Sequence, residues 1–297
     1  VASALRRMPR SLSVSTPPRF TEIALAYPIF LLLIGLALSA YIGGAGFHQD
    51  DWSLQWWSSI APTDFDAAFK GGHPELLHQL NYDYFRGVDE LLDNMSTLPS
   101  YRPAIPFYHV FIHTAFGTDT TAHVLWVIAV AAGFATALFA VLRELGLARI
   151  HALMIGVLVL VFPLASSVRL WITAAVIAWA FFLYLSGLSL SLRGLRKRGV
   201  PLYVHSTAGY VLSLIALLSY EVVAGPMLLS IFIYRRVTTW RTAAIRWVFD
   251  VVAVAAAFLF VLRGTGKKTE SLSSQLDHLW LFVDQGSAVF GYAGFPF

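Results

Sequence analysis

Long apolar runs separated by short basic loops are the feature that most limits how this chain can fold. A helix needs about 20 apolar residues to cross the roughly 30 Å hydrocarbon core of a bilayer. Of the 297 residues, 57% are hydrophobic and 13% are charged, whereas soluble domains carry about 25% charged residues. We therefore expect an all-α integral membrane protein with about seven transmembrane helices. The predicted spans are residues 24–45, 119–142, 150–165, 170–192, 203–219, 222–234 and 247–262.

The positions of the basic residues predict how these helices are oriented. Lys and Arg concentrate in the short loops that follow residues 142, 192 and 234, and such loops stay on the cytoplasmic side. With the N-terminus inside, nearly all acids lie outside; Glu22, Glu144 and Asp250 are the exceptions. The basic pI of about 9.4 thus results from basic loops between membrane helices, and it does not indicate a nucleic-acid partner.

This orientation divides the chain into three parts. Residues 1–23 form a cytoplasmic tail, residues 24–262 form the membrane module, and residues 263–297 begin a second outer loop. The last residues carry no basic stop signal, so we expect the natural chain to continue beyond them. The predicted location is the plasma (inner) membrane of a bacterium.

The first outer loop, residues 46–117, is long and polar. Residues 64–69 and 75–80 have the spacing of short amphipathic helices and are expected to lie beside the membrane surface. Residues 104–116 are apolar but too short to span, so we expect them to be re-entrant or interfacial. Asp119 follows and is a predicted N-cap for the next helix.

Adjacent carboxylates open this outer loop, directly after the first span. Asp50 and Asp51 could serve as a general base, as ligands of a divalent cation such as Mg²⁺ or Mn²⁺, or as both. The alternative is a solvated acidic loop or an ordinary helix cap. His48 and His73 are near enough in sequence to be proton shuttles. The chain has no cysteine, which excludes a thiolate nucleophile or a zinc–thiolate site.

Three arginines predicted on the outer side could bind a phosphate group, and they are Arg102, Arg169 and Arg263. The alternative for each is a side chain that merely reaches the lipid headgroups. Tyr220 and Glu221 interrupt a run that is otherwise apolar from residue 203 to 234. They are either the outer turn of a hairpin or functional groups within the membrane.

The order of these motifs resembles the GT-C superfamily of membrane glycosyltransferases, and most closely the polyprenyl-phosphate-sugar-dependent O-mannosyltransferase type. The resemblance covers roughly residues 24–236. The motifs, in order, are Asp50-Asp51, Arg102-Pro103, Phe107 to Phe116-Gly117, His123, Phe162-Pro163, Val168, Trp171-Ile172, and Ser219-Tyr220-Glu221 with Pro226. Tyr220 stands where the family usually has Lys, and Thr173-Ala174-Ala175 follows where the family often has Arg.

The resemblance implies a seven-helix module, a catalytic base in the first outer loop and a lipid-phosphate sugar donor that enters from the bilayer. The acceptor would be a hydroxyl of a glycan, lipid or protein. The departures at residues 173–175 and 220 keep a second hypothesis open, in which the chain is a non-catalytic GT-C-like subunit packed against a larger membrane complex. A channel or transporter is less well supported, because the acids are predicted in an outer loop and not along a pore.

Overall fold

The computed structural model describes residues 18–39, 103–116, 119–161 and 175–264. These residues are almost entirely helical, and no strand occurs among them. The helices are α1 (Phe20–Ala37), α2 (Ile105–Phe116), α3 (Thr120–Glu144), α4 (Arg149–Val161), α5 (Ala175–Leu195), α6 (Val200–Ser219), α7 (Ala224–Arg235) and α8 (Trp240–Gly264), with a 3₁₀ turn at Glu221–Val223 between α6 and α7.

Within the described ranges, five of these helices are long and apolar enough to cross a membrane, and they are α1, α3, α5, α6 and α8. The prediction of an all-α membrane protein is confirmed at this level. The count of seven spans is not confirmed, because α4 has 13 residues and α7 has 12, and a straight crossing needs about 20.

Several helix ends agree with the local sequence signals. The Asp119 carboxylate accepts a hydrogen bond from the Ala122 backbone N–H at 3.1 Å, which confirms the predicted N-cap. Gly146 and Gly199 adopt positive φ angles of 92° and 66° in the turns before α4 and α6, a conformation in which a side chain would be strained.

Two predicted boundaries are wrong. The first span was expected over residues 24–45, but α1 covers Phe20–Ala37. The last span was expected to start at Trp247, after a basic loop, but α8 begins at Trp240. Arg241 and Arg246 therefore lie on the helix and not in a loop. The extra turns bring the Arg246 side chain into the protein interior, where it is only 7% exposed.

Helix α3 lies at the centre of the described bundle, packed against α1, α4 and α5. The closest helix pair is α5 with α6, and α7 packs mainly against α8. Small residues allow the α5–α6 approach, since a Cβ added to Gly187 would lie 2.5 Å from the Gly209 carbonyl oxygen. Large apolar side chains such as Leu32, Leu158 and Phe232 point outward and are about 60% exposed, as expected for helices surrounded by lipid.

The two ends of the bundle differ in chemistry. The basic end contains the start of α1, the α3–α4, α5–α6 and α7–α8 connections and the helix termini beside them. The aromatic end contains α2, the start of α3, the start of α5 and the α6–α7 turn. The candidate functional site lies at the aromatic end.

Candidate functional site

The predicted site residues are only partly covered by the structure. Tyr220 and Glu221 are described, and Arg263 falls in the last turn of α8, where the structure describes the backbone only. The remaining six lie outside the described residues, and they are His48, Asp50, Asp51, His73, Arg102 and Arg169. Their roles therefore stay predictions.

The Tyr220–Glu221 interruption is a true break between helices. Tyr220 has extended backbone angles (φ −157°, ψ 124°) and ends α6, while Glu221 begins the 3₁₀ turn that leads into α7. Glu221 is exposed, and Tyr220 is half-buried against the cores on both sides of it. A turn between helices is thus observed here, and the functional roles of both residues stay predictions.

A backbone hydrogen bond joins this turn to the segment that follows Arg102 in the sequence. The Ala104 N–H donates to the Leu218 carbonyl at 3.1 Å. The last carbonyls of a helix lack partners within the helix, so Ala104 satisfies one of them at the end of α6. Residues 103–104 and the end of α6, about 115 residues apart in the chain, are thereby brought to the same place.

An apolar cavity of about 500 Å³ lies beside this junction. Its lining comes from α2, α3, α5 and α6, so the short helix α2 is what closes it on one side. Phe107, Phe111 and Ile215 at its rim are 37%, 52% and 40% exposed, which leaves the cavity open to the surroundings of the bundle. The lining residues are Ala104, Phe107, Tyr108, Phe111, Trp126, Trp179, Ile215 and Ser219. We call this cavity the aromatic groove.

Ring contacts hold the walls of the aromatic groove in place. The rings of Trp126 and Trp179 are 6.0 Å apart, and those of Phe111 and Trp126 are 5.4 Å apart in an edge-to-face arrangement. The Trp126 Nε1–H donates to the Tyr108 hydroxyl at 3.1 Å. Aromatic pairs at these separations contribute about 0.5–1.5 kcal/mol beyond their buried area, so the groove is a preformed feature.

The polar side chains in these walls form hydrogen bonds within the protein. The Ser219 hydroxyl donates to the Ile215 carbonyl at 2.8 Å, just as the Trp126 indole is paired with Tyr108. The groove is thus suited to an apolar chain held by contact alone. Any acid–base chemistry near it has to come from other residues, such as Glu221 at the adjoining turn.

His123, at the start of α3, is completely buried. Its ring lies edge-on to Phe116 at 5.6 Å. A fully buried imidazole in this position packs α2 against α3. It thereby supports the wall of the aromatic groove.

The described ranges contain no group of three or more acidic or histidine side chains that could hold a metal ion. The predicted metal ligands, Asp50 and Asp51, lie outside those ranges. A divalent cation therefore stays a prediction based on the carboxylate pair.

A second polar cluster, which the sequence prediction missed, is buried between α5, α7 and α8. Asp250 is 1% exposed, and its Oδ1 accepts from Arg246 at 2.5 Å. Its Oδ2 accepts from the hydroxyls of Ser230 and Tyr234, both at 2.8 Å. Arg246 also donates to the Ser191 hydroxyl at 3.3 Å. We call these five residues the buried charge cluster.

The sequence did contain a signal for this cluster. Arg246 and Asp250 are four residues apart, as are Ser230 and Tyr234, and residues four apart share one face of a helix. Because the last span was predicted to start at Trp247, Arg246 was assigned to a loop and its helical pairing with Asp250 was not recognised. The guanidinium also stacks over the Tyr234 ring, 5.2 Å from its centroid, so every face of the Asp250 carboxylate and most of Arg246 is occupied by protein.

Comparisons with models of protein families, with curated proteins and with solved structures gave no match to this chain. The functional argument therefore rests on the residues and the geometry described above.

Proposed function

We propose that this chain is an inverting membrane glycosyltransferase that moves a sugar from a polyprenyl-phosphate donor to an acceptor hydroxyl. The proposal joins the motif order, which resembles the GT-C superfamily, to the aromatic groove. In this proposal α4 and α7 also cross the membrane, as short helices, and bring the number of spans to seven. The active face is the aromatic end, on the outer side of a bacterial plasma membrane.

The observation that carries the proposal is the aromatic groove beside the α6–α7 turn. A polyprenyl tail is a long apolar chain, and a cavity of about 500 Å³ is within the range of roughly 300–1,000 Å³ typical of ligand sites. Its open rim allows a chain to enter sideways from the bilayer. A tail held there would bring its phosphate toward Tyr220 and Glu221.

The reaction assigns a role to each predicted residue. Asp50 or Asp51 takes the proton from the acceptor hydroxyl, with His48 and His73 as possible relays. The acceptor oxygen then bonds to the anomeric carbon, and the bond from that carbon to the lipid phosphate breaks. Arg102, Arg169 and Arg263 stabilise the negative charge that grows on the departing phosphate. A Mg²⁺ or Mn²⁺ ion held by the Asp pair would also stabilise the negative charge on the departing phosphate.

Tyr220 and Glu221 supply the polar edge of the donor site. Tyr220 stands where the family usually has Lys, so a phenol would donate to the phosphate instead of an ammonium group. Glu221 is exposed at the same turn and would orient the sugar or the acceptor through hydrogen bonds. Because a neutral phenol attracts a phosphate less strongly than an ammonium group does, phosphate binding would depend more on the three arginines.

The chemical step is tested by replacing each acid of the pair. Asp50→Asn and Asp51→Asn are assayed separately for sugar transfer from a polyprenyl-phosphate donor in membranes containing the full chain. At least one should lower the rate by about 100-fold or more, the usual contribution of a general base. Asp64→Asn, in the same loop, is the matched control and should leave the rate unchanged. If neither Asn variant lowers transfer, the mechanism is wrong.

The groove is tested with donors of different tail length. Trp179→Ala enlarges the aromatic groove and should raise the KM for a long polyprenyl donor several-fold more than for a short one, while kcat changes little. Trp240→Ala, at the exposed basic end, is the control and should leave both KM values unchanged. Equal effects on the two donors would contradict the binding of the tail in this groove.

The second candidate is a non-catalytic GT-C-like subunit of a larger membrane complex. Tyr220 in place of Lys is the observation that favours it. Under this hypothesis, gentle solubilisation would recover the chain in a stable complex, and Asp50→Asn together with Asp51→Asn would change neither sugar transfer nor assembly.

A further inference from the structure

The basic end contains two different sets of cations. In the first set, each arginine faces a carboxylate. Arg143 pairs with Glu22 at 2.7 Å, and Arg193 and Arg196 pair with the fully buried Glu144 at 2.9 Å and 2.5 Å. These contacts tie α1, α3 and α5 together. Three arginines thus share two carboxylates, so most of the charge of this set is offset within the protein.

The second set is exposed, and no acid among the described residues lies opposite it. In the described part of the chain the only exposed acids are Asp119 and Glu221, both at the aromatic end. The cations of this second set are Arg19, Arg149, Lys197, Arg198, Arg235, Arg236 and Arg241. They form no ion pair with any described carboxylate. A surface of one sign attracts ligands of the opposite sign.

The α7–α8 connection is the most ordered part of this surface. Arg235 Nη1 donates to the Thr238 carbonyl at 2.9 Å, and its guanidinium lies 5.5 Å from the centroid of the Trp240 ring. The ring is 54% exposed. Tryptophan prefers the depth of the lipid headgroups, so the stacking holds the Arg235 charge at that depth. Arg236 and Arg241 are exposed on either side of it. We call Arg235, Arg236, Trp240 and Arg241 the basic corner.

We propose that the basic corner binds the phosphate group of an anionic phospholipid. The Arg235 guanidinium keeps donors beyond the one used by Thr238, and an arginine fork matches the oxygens of a phosphate. The neighbouring charges add long-range attraction, and the apolar faces of α7 and α8, with Leu229 and Phe249 exposed, contact the acyl chains. The site is at the opposite end of the bundle from the aromatic groove, so it is independent of the proposed glycosyl transfer.

The test measures lipid binding to the purified full chain in detergent. Dioctanoyl-phosphatidylglycerol or dioctanoyl-phosphatidylcholine is titrated in, and bound lipid is counted by native mass spectrometry. The wild type should bind the anionic lipid more tightly, and added salt should reduce the difference. The triple variant Arg235→Gln, Arg236→Gln, Arg241→Gln should bind it about 100-fold more weakly, since each cation near an anionic lipid contributes about a fivefold factor.

Two matched triple variants locate the effect. Lysine at the same three positions keeps the charge and should retain most of the binding. Glutamine at Arg149, Lys197 and Arg198 removes three exposed charges elsewhere on the basic end and should have a much smaller effect. All three variants change exposed side chains, and helical circular dichroism and thermal unfolding without lipid check that each is folded.

Three results would overturn the proposal. The wild type could bind the two lipids equally, the two glutamine variants could lose binding equally, or inorganic phosphate at millimolar concentration could displace the lipid completely. The last result would show a site for a free anion and not for a lipid. Sugar transfer is unaffected in every case, which separates this test from that of the proposed function.

Discussion

The buried charge cluster and the aromatic groove are two opposite ways of using the interior of the same bundle. The cluster fills its space with charged and hydroxyl groups that are bonded to one another, whereas the groove leaves about 500 Å³ open between aromatic rings. A buried charge requires an opposite charge or hydrogen-bond partners, and an apolar wall requires none. The difference indicates that the cluster holds helices together and that the groove is free to take a ligand.

The largest effect is expected from breaking the cluster. Asp250→Ala leaves Arg246 buried without its carboxylate, which should cost about 3–5 kcal/mol in the free energy of unfolding. Unfolding of the purified protein in detergent, followed by helical circular dichroism, measures the loss.

The paired replacement Arg246→Met with Asp250→Leu is the control for this prediction. It removes both charges and fills a similar volume, so it should recover more than half of the loss. If Asp250→Ala costs less than about 1 kcal/mol, the cluster does not hold α7 and α8 as described.

A smaller effect is expected at the α5–α6 contact, which links the two regions. Gly209 faces Ser191, a member of the cluster, and a Cβ at Gly209 would also lie 2.5 Å from the Gly187 carbonyl oxygen. Gly209→Leu should therefore cost about 2 kcal/mol through overpacking, measured by the same unfolding experiment. Gly35→Ala is the control, because a Cβ there meets nothing within 4 Å, and it should not destabilise the protein.

The smallest effect is expected within the groove. Tyr108→Phe removes the acceptor of the Trp126 indole N–H and should cost about 0.5–1 kcal/mol, because a single hydrogen bond contributes little in net terms. The same variant should still bind an apolar chain, measured as quenching of tryptophan fluorescence by a brominated acyl chain. A loss of stability as large as that of Asp250→Ala would contradict the contrast between the two regions.

Several local features were readable in the sequence. The Asp119 cap, the break at Tyr220–Glu221 and the membrane character of the chain each depend on neighbours within a few residues or on composition over about 20 residues. The acids that were exceptions to the predicted orientation, Glu22, Glu144 and Asp250, turn out to be paired with arginines. Their positions in the sequence identified these acids as unusual but did not identify the arginines that pair with them.

The partners themselves were decided by tertiary structure. Arg193 at the end of α5 and Arg196 in the following turn reach Glu144 of α3, and Ala104 bonds to Leu218 of α6. Hydrophobic periodicity reports which side of a helix is buried, but which helices become neighbours depends on where small residues such as Gly187 and Gly209 permit close approach. The sequence by itself therefore determined that helices form, where most of them end and that they belong in a membrane. Only their packing decided that α2 leaves an aromatic groove open and that Arg246 is buried against Asp250.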